Sequence, residues 1–239
     1  MSDIKPFVIA AFGALNQGSY DMFSYWLSYY GTQYGLGIDL RSAGAYPNAQ
    51  AETVPGRPLR GDALKDPVLQ EELYNAVAGD ARALGADVDL YCMPCLSMVG
   101  FQAGVERALG KSIVSLADSL ARHYAGIEKL GVIHMRPAHV RIDEIFGDKA
   151  VRPKDEFAQK LLVAEENLKQ SDDSHEIESL MYEITQDFAN GGLTHVLYAR
   201  ADAPQAQNNI DTSHIHIKVE SYFEILAQSI AQDLVRNAA

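Results

Sequence analysis

Short apolar runs alternate with stretches of helical periodicity along this chain, and that rhythm constrains the fold more than any other feature. The runs are Phe7–Phe12, a stretch around Gly37–Leu40, Asp87–Cys95, Ser112–Leu116, Leu130–Met135 and Thr194–Ala199. Each is bounded by glycine, proline or polar residues and is shorter than an ordinary helix, so each reads as a buried strand. Helices are expected over Tyr20–Tyr34, from Asp66-Pro67 onward with proline at the first helical position, and over Val99–Leu109 and Asp118–Lys129. Further helices are expected over Lys154–Gln170, His175–Ala189 and, closing the chain, Ile217–Arg236. Strand–helix–strand alternation predicts parallel pairing through right-handed crossovers.

A chain of 239 residues makes one large domain or two small ones. Its net charge of -12 repels phosphate backbones, so nucleic acid is not an expected partner. That charge leaves room for an anionic substrate, because a few arginines can dominate a pocket. The start, MSDIKPFVIAAFGAL, reads as a first strand and not as a signal peptide. No apolar run approaches the ~18 residues of a membrane span. The two cysteines, Cys92 and Cys95, are too close in sequence to staple distant parts of a fold, which points to a reducing, cytoplasmic setting.

In an open α/β sheet, ligands sit beyond the carboxyl ends of the strands. The step Met93-Pro94-Cys95-Leu96-Ser97 ends one apolar run, which makes Cys95 the leading candidate for chemistry. The plainer readings are a small buried residue or, with Cys92, a Cys-x-x-Cys redox pair. The long segment Pro47–Asp66 carries Arg57 and Arg60, either solvated or reaching a site. His214 and His216, with Asp211, read as solvated groups, and no metal centre is expected. Gly13 and Gly18 lack the Lys-Ser/Thr of a phosphate-binding loop. On the first helix, which Ser19 can cap, Phe23, Trp26, Leu27, Tyr30 and Tyr34 form an aromatic face suited to a core or a subunit interface.

A longer echo joins Ala86–Cys95 to Leu193–Asp202: both follow a helix ending in glycine, contain an apolar strand and exit into a turn containing proline. These residues point to a family. The Met93–Ser97 step resembles the Pro-Cys-Asn-Thr step of the aspartate/glutamate racemase superfamily. Gly192–Pro204 (GLTHVLYARADAP) is similar to its strand leading into Gly-Cys-Thr-Glu-x-Pro, and VIAAFGALNQGSYDMF to its N-terminal strand, loop and helix. The resemblance implies two pseudo-symmetric Rossmann-like or flavodoxin-like lobes with parallel sheets and an active site in the cleft between them. The lobes expected are 1–117 plus 212–239, and 118–211. It implies no cofactor, a small carboxylate or amino-acid substrate, and a homodimer.

Members of that family use two cysteines on opposite faces of a substrate carbon. Cys95 matches the first. The second falls at Arg200, with Ala201 and Asp202 after it, while Leu96 and Ser97 stand for the family's Asn and Thr. The roles carried over are Cys95 and Asp202 in proton transfer, and Asn16, Gln17, Ser97, Arg200, Arg57 and Arg60 in substrate binding. Another register places the glutamate-racemase Gly-Cys-Thr-His over Gly192–His195 and would make His195 catalytic. Three functions remain open. The first is a cofactor-independent isomerase with one cysteine. The second is a single-cysteine lyase or covalent-addition enzyme that uses an arginine as carboxylate anchor. The third is a non-catalytic binder of small acids.

Overall fold

The structure, a computed structural model, describes residues 5–46, 53–54, 57–58, 66–134, 142–171, 175–199 and 215–238. They divide into two compact units, one running to Ser119 and resuming at Phe223, the other Leu120–Tyr222. The first unit contains strand β1 (Phe7–Asn16), helix α1 (Gln17–Gln33), β2 (Ile38–Tyr46) and a short antiparallel pair, β3 (Thr53–Val54) and β4 (Arg57–Pro58). Helix α2 (Pro67–Ala83), β5 (Leu90–Cys92), a 3-10 helix (Leu96–Phe101), α3 (Gln102–Leu109) and β6 (Ile113–Val114) follow. Helix α4 (Leu116–His123) leads into the second unit. That unit holds β7 (Leu130–Ile133), α5 (Ile142–Phe146), β8 (Ala150–Val151), α6 (Asp155–Ser171), α7 (His175–Asn190), β9 (His195–Tyr198) and β10 (Lys218–Ser221). Helix α8 (Tyr222–Ala238) takes the chain back to the first unit.

Each unit has a four-stranded parallel sheet, ordered β2-β1-β5-β6 in one and β10-β9-β7-β8 in the other. Counted from its own first strand, each sheet runs second, first, third, fourth. The two units therefore repeat one topology, the doubly wound order in which the chain reverses direction between its first and third strands. The strand sequences suit sheets covered on both faces, which favour unbroken apolar runs. Ile9, Ala10, Ala11 and Phe12 of β1 are fully buried, as are Val132 and Ile133 of β7. In the second unit, Ile133, Val196 and Tyr198 pack under Leu161 of α6 and Met181 and Ile184 of α7.

Several local expectations are corrected. Strand β1 runs past the expected Phe12 to Asn16, and α1 starts at Gln17, before the expected Tyr20, with Ser19, expected as its cap, buried in its first turn. Gly13, at φ 117, absorbs a register shift between Phe12 and Leu15 that lets β1 keep pairing with β2. Strand β5 is shorter than the apolar run Asp87–Cys95 because polar groups claim its start. The Asp89 carboxylate accepts from Val8 N at 2.8 Å, and Arg41 clamps Asp87 through two hydrogen bonds of 2.7 and 2.9 Å. The Arg41 guanidinium holds the Asp87 carboxyl down at about 2. Ile142–Phe146, outside every helix expected from the sequence, forms α5. Helix α2 begins as expected, with Asp66 as cap accepting from Val68 N at 2.8 Å and Pro67 in its first turn.

The closing segment differs most. Lys218–Ser221 is a strand, in register with His195–Tyr198, and the helix starts only at Tyr222. Lys218–Ser221 thus pair into the second sheet. On β10, Glu220 is buried, with Oε1 2.9 Å from His123 Nε2 and 2.7 Å from Lys218 Nζ. Burial raises its carboxyl, but the bonds and charges of His123 and Lys218 outweigh that and leave it below its ordinary value of 4.5. A carboxyl depressed in the folded state stabilises above its unfolded value, and the contribution is lost as pH falls through the lower, folded one. Acid unfolding should therefore steepen below about pH 4.5, and Glu220→Gln should flatten that limb. An unchanged limb in a circular-dichroism titration of the variant would remove Glu220 from the acid response.

Candidate active site

In the first sheet the order reverses between β1 and β5, so the carboxyl ends of these two strands mark the crevice where ligands bind. Cys95 lies there. Its backbone is extended (φ -138, ψ 111) at the start of the 3-10 helix; its N–H donates to Met93 O at 2.8 Å and its carbonyl accepts from Met98 N at 3.1 Å. Pro94 before it has no N–H to continue a strand ladder, so the chain turns and the thiol leaves the sheet. A Cβ at Gly13 would lie 3.8 Å from Cys95 Cβ, so β1 approaches the cysteine closely at a residue without a side chain. Cys95 is 6% exposed.

Cys92 has a different environment. It sits inside β5, opposite Ala11 on one side and Val114 on the other, and is fully buried. Burial pushes its thiol well above the ordinary range, which keeps it protonated and inert. Both cysteines are thiols, not a disulfide. The Cys-x-x-Cys spacing therefore reflects one core residue and one residue at the sheet edge.

Of the other residues singled out in the sequence, Asn16 ends β1, Gln17 opens α1, and Ser97 lies in the 3-10 helix after Cys95. The backbone thus gathers all three with Cys95 at the carboxyl edge of the first sheet. Gln17 Nε2 donates to Asp21 Oδ1 at 2.7 Å. Arg57 is in β4, within the short hairpin. Arg60, Arg200 and Asp202 lie outside the described residues, as do Asp211 and His214. His216 is exposed. Among the described residues, no group of three or more His, Cys, Asp or Glu side chains could hold a metal ion, and no helix is long and apolar enough to cross a membrane.

The second sheet reverses order between β7 and β9. His195 is at the amino end of β9, with Nδ1 2.9 Å from Thr194 Oγ1 and its ring against Tyr124. That is the opposite end from the one where ligands bind. His134, by contrast, follows β7 directly at the carboxyl end. Its ring is half-buried, and Nδ1 is sealed from solvent with no hydrogen-bond partner among the described residues. Burial holds the imidazole below its ordinary value; Arg152 adds to this and Asp143 opposes it. Arg152, just past β8, bonds Asp143 at 2.6 Å. Sequence reasoning missed His134 because it falls inside the apolar run LGVIHM. The available signal was the internal repeat: the last residues paired between first and third strands are Ala11 with Cys92 and Ile133 with Tyr198, so His134 stands where the first unit has Phe12.

No family model matches the sequence, and no curated protein matches it. Solved structures do match in fold. An aspartate racemase homologue from Pyrococcus horikoshii OT3 aligns over 98% of this chain and 100% of its own, with a TM-score of 0.70 at 16% identity. Allantoin racemase from Pseudomonas fluorescens aligns over 97% of this chain and 92% of its own (TM-score 0.60, 12% identity). Glutamate racemase from Francisella tularensis, in complex with D-glutamate, aligns over 98% and 83% (TM-score 0.59, 10% identity). With two parallel α/β units of repeated topology, the chain shares the fold of these solved racemase structures.

Proposed function

We propose that this protein is a cofactor-independent isomerase that moves a proton at a carbon of a small amino or dicarboxylic acid, with Cys95 as acid/base. The observation that carries the reading is the position of Cys95, beyond the carboxyl end of β5 at the order reversal of a racemase-type sheet, with Gly13 leaving space beside it. Inverting a carbon centre takes a group that removes a proton and one that returns it from the other face. A thiol, with an ordinary value near 8.5, can be tuned to either role. In this reading Asp202 supplies the second proton and Arg200 clamps the carboxylate, since a guanidinium holds a carboxylate with two bonds but does not readily give up a proton. Asn16, Gln17, Ser97, Arg57 and Arg60 complete the substrate contacts. The exposed Tyr25 and Tyr29, one turn apart on α1, suit a homodimer contact, and a reducing cytoplasm suits two thiols three residues apart.

One observation favours a second reading. Both cysteines of the chain flank the same turn after β5, one of them inert, so only one is left for chemistry. A lyase or covalent-addition enzyme with Cys95 and an arginine anchor needs no second thiol. Proton NMR in deuterated water separates the two, using both enantiomers of aspartate and glutamate and a set of dicarboxylic acids. The isomerase reading expects deuterium to enter a substrate carbon. Released carbon dioxide or a mass adduct on Cys95 would favour the second reading, and no change in any acid with folded protein would reject isomerisation of those acids.

A further inference from the structure

His134 is a polar ring where the fold calls for none. It follows β7 directly, and the equivalent place in the first sheet holds the fully buried Phe12. Its Nδ1 is sealed from solvent and has no hydrogen-bond partner among the described residues. A neutral imidazole tolerates this with its proton on Nε2, because unpaired acceptors are buried more readily than unpaired N–H groups. An imidazolium carries a proton on both nitrogens, so the same place would then hold a charged, orphaned donor. Among the described residues, the charged groups acting on the ring are Arg152 and Asp143. Arg152, after β8, repels an imidazolium; Asp143, on α5, attracts one but is bonded to Arg152 at 2.6 Å. On the neighbouring strand, Tyr198 is in register with Ile133, and its phenol, bonded to Thr185 and pushed up to about 12 by burial, stays uncharged. The two charges sit on or beside the shortest α-helix and the shortest strand described in the second unit. Helix α5 has five residues, and β8 is a two-residue edge strand paired with β7. Local opening is drawn from such elements, which have few contacts to lose.

We infer that His134 is a pH-sensitive latch: as a neutral ring it keeps residues 142–152 closed against β7, and on taking a second proton it releases that segment into a locally open state. Burial holds the ring below its ordinary value of 6.5 while the segment is closed, and in the hydrated, open state the ring regains that ordinary value. The closed state is therefore favoured most above pH 6.5. Its advantage shrinks as pH falls through that value, because the open state binds the proton first, and the loss levels off below the closed-state value. One proton changes the open population by at most about tenfold per pH unit. The core of the same unit has no such sensitivity, since Ile133, Leu161, Met181 and Ile184 meet through apolar surface.

The test is amide hydrogen exchange on the full chain, followed by NMR from about pH 7.5 to about pH 5, a window above the acid response of Glu220. Rates are expressed as protection factors, which removes the intrinsic pH dependence of exchange. Amides of α5 and β8 should keep constant protection above about pH 7 and lose it about three- to tenfold by about pH 5.5. Amides of α7 and β9 should hold theirs throughout. His134→Phe, with the residue found at the equivalent place in the first sheet, should keep the protection of α5 and β8 level across the window. His134→Gln, polar but never charged, should do the same, so that either variant serves if the other does not fold. Level protection of α5 and β8 in the unmodified protein would overturn the latch. So would a loss shared equally by α7 and β9, which is opening of the whole unit, and so would an undiminished loss in a folded His134 variant, which would place the titrating group elsewhere.

Discussion

Cys95→Ala should lower deuterium exchange at the substrate carbon about 10²–10⁴-fold, the span by which a positioned acid/base accelerates proton transfer. The fold should survive the change. The start of the 3-10 helix is held through the backbone of Cys95, by bonds to Met93 and from Met98, and no side-chain cap bond is made there. Cys92→Ala should give the opposite pattern. Its thiol is locked in the protonated form inside β5, so exchange should persist while the melting temperature falls with the lost packing. The pair of variants, compared by NMR exchange and circular-dichroism melting, separates chemistry from packing. Full exchange in Cys95→Ala, or its loss in a folded Cys92→Ala, would move the acid/base role away from Cys95.

What the sequence could and could not disclose follows from how each residue is stabilised. Strands β1, β7 and β9 are legible because both faces of a parallel sheet are covered, and their apolar runs are unbroken. Strand β10 is not legible. It is an edge strand, KVES, whose buried Glu220 is tolerable only because His123 and Lys218 meet it. Periodicity does not register a partner 97 positions away, so apolar residues after Ile217 read as one long helix. The junction of β1 and α1 is not legible for a related reason: glycine after an apolar run looks like the end of a strand, but the positive φ of Gly13 serves a strand that shifts register and continues. Cys95 was visible because a Pro-Cys step after an apolar run is uncommon and local.

Phe223→Ala is expected to cost about 3–5 kcal/mol, the usual range for removing a buried phenylalanine. The argument starts from the discontinuity of the first unit. The chain leaves it at Ser119 and comes back at Phe223, so α8 must be recaptured by surface left open for it. Phe223, 1% exposed, is the first residue of that return, and its ring lies 6.3 Å from that of Phe23 on α1 at a tilt of 46°. Polar contacts follow along the helix: Tyr30 Oη to Glu224 Oε1 at 3.2 Å, Ser119 Oγ to Ser229 Oγ at 3.1 Å, and Gln232 Nε2 to Tyr34 Oη at 3.3 Å. These fix orientation, but each replaces a bond to water and contributes about 1 kcal/mol. The buried ring therefore dominates the recapture. For a chain of this size the loss corresponds to a melting temperature lower by about 6–20 °C. Tyr25→Ala on the open face of α1, where the ring is 57% exposed, should change the stability of the single chain by no more than about 0.5 kcal/mol. A double-mutant cycle of Phe23→Ala with Phe223→Ala should show a coupling of about 0.5–1.5 kcal/mol for the ring pair. If Phe223→Ala melts no lower than Tyr25→Ala, the returning helix does not hold the first unit together through this ring, and the polar contacts along α8 must carry more than their usual share.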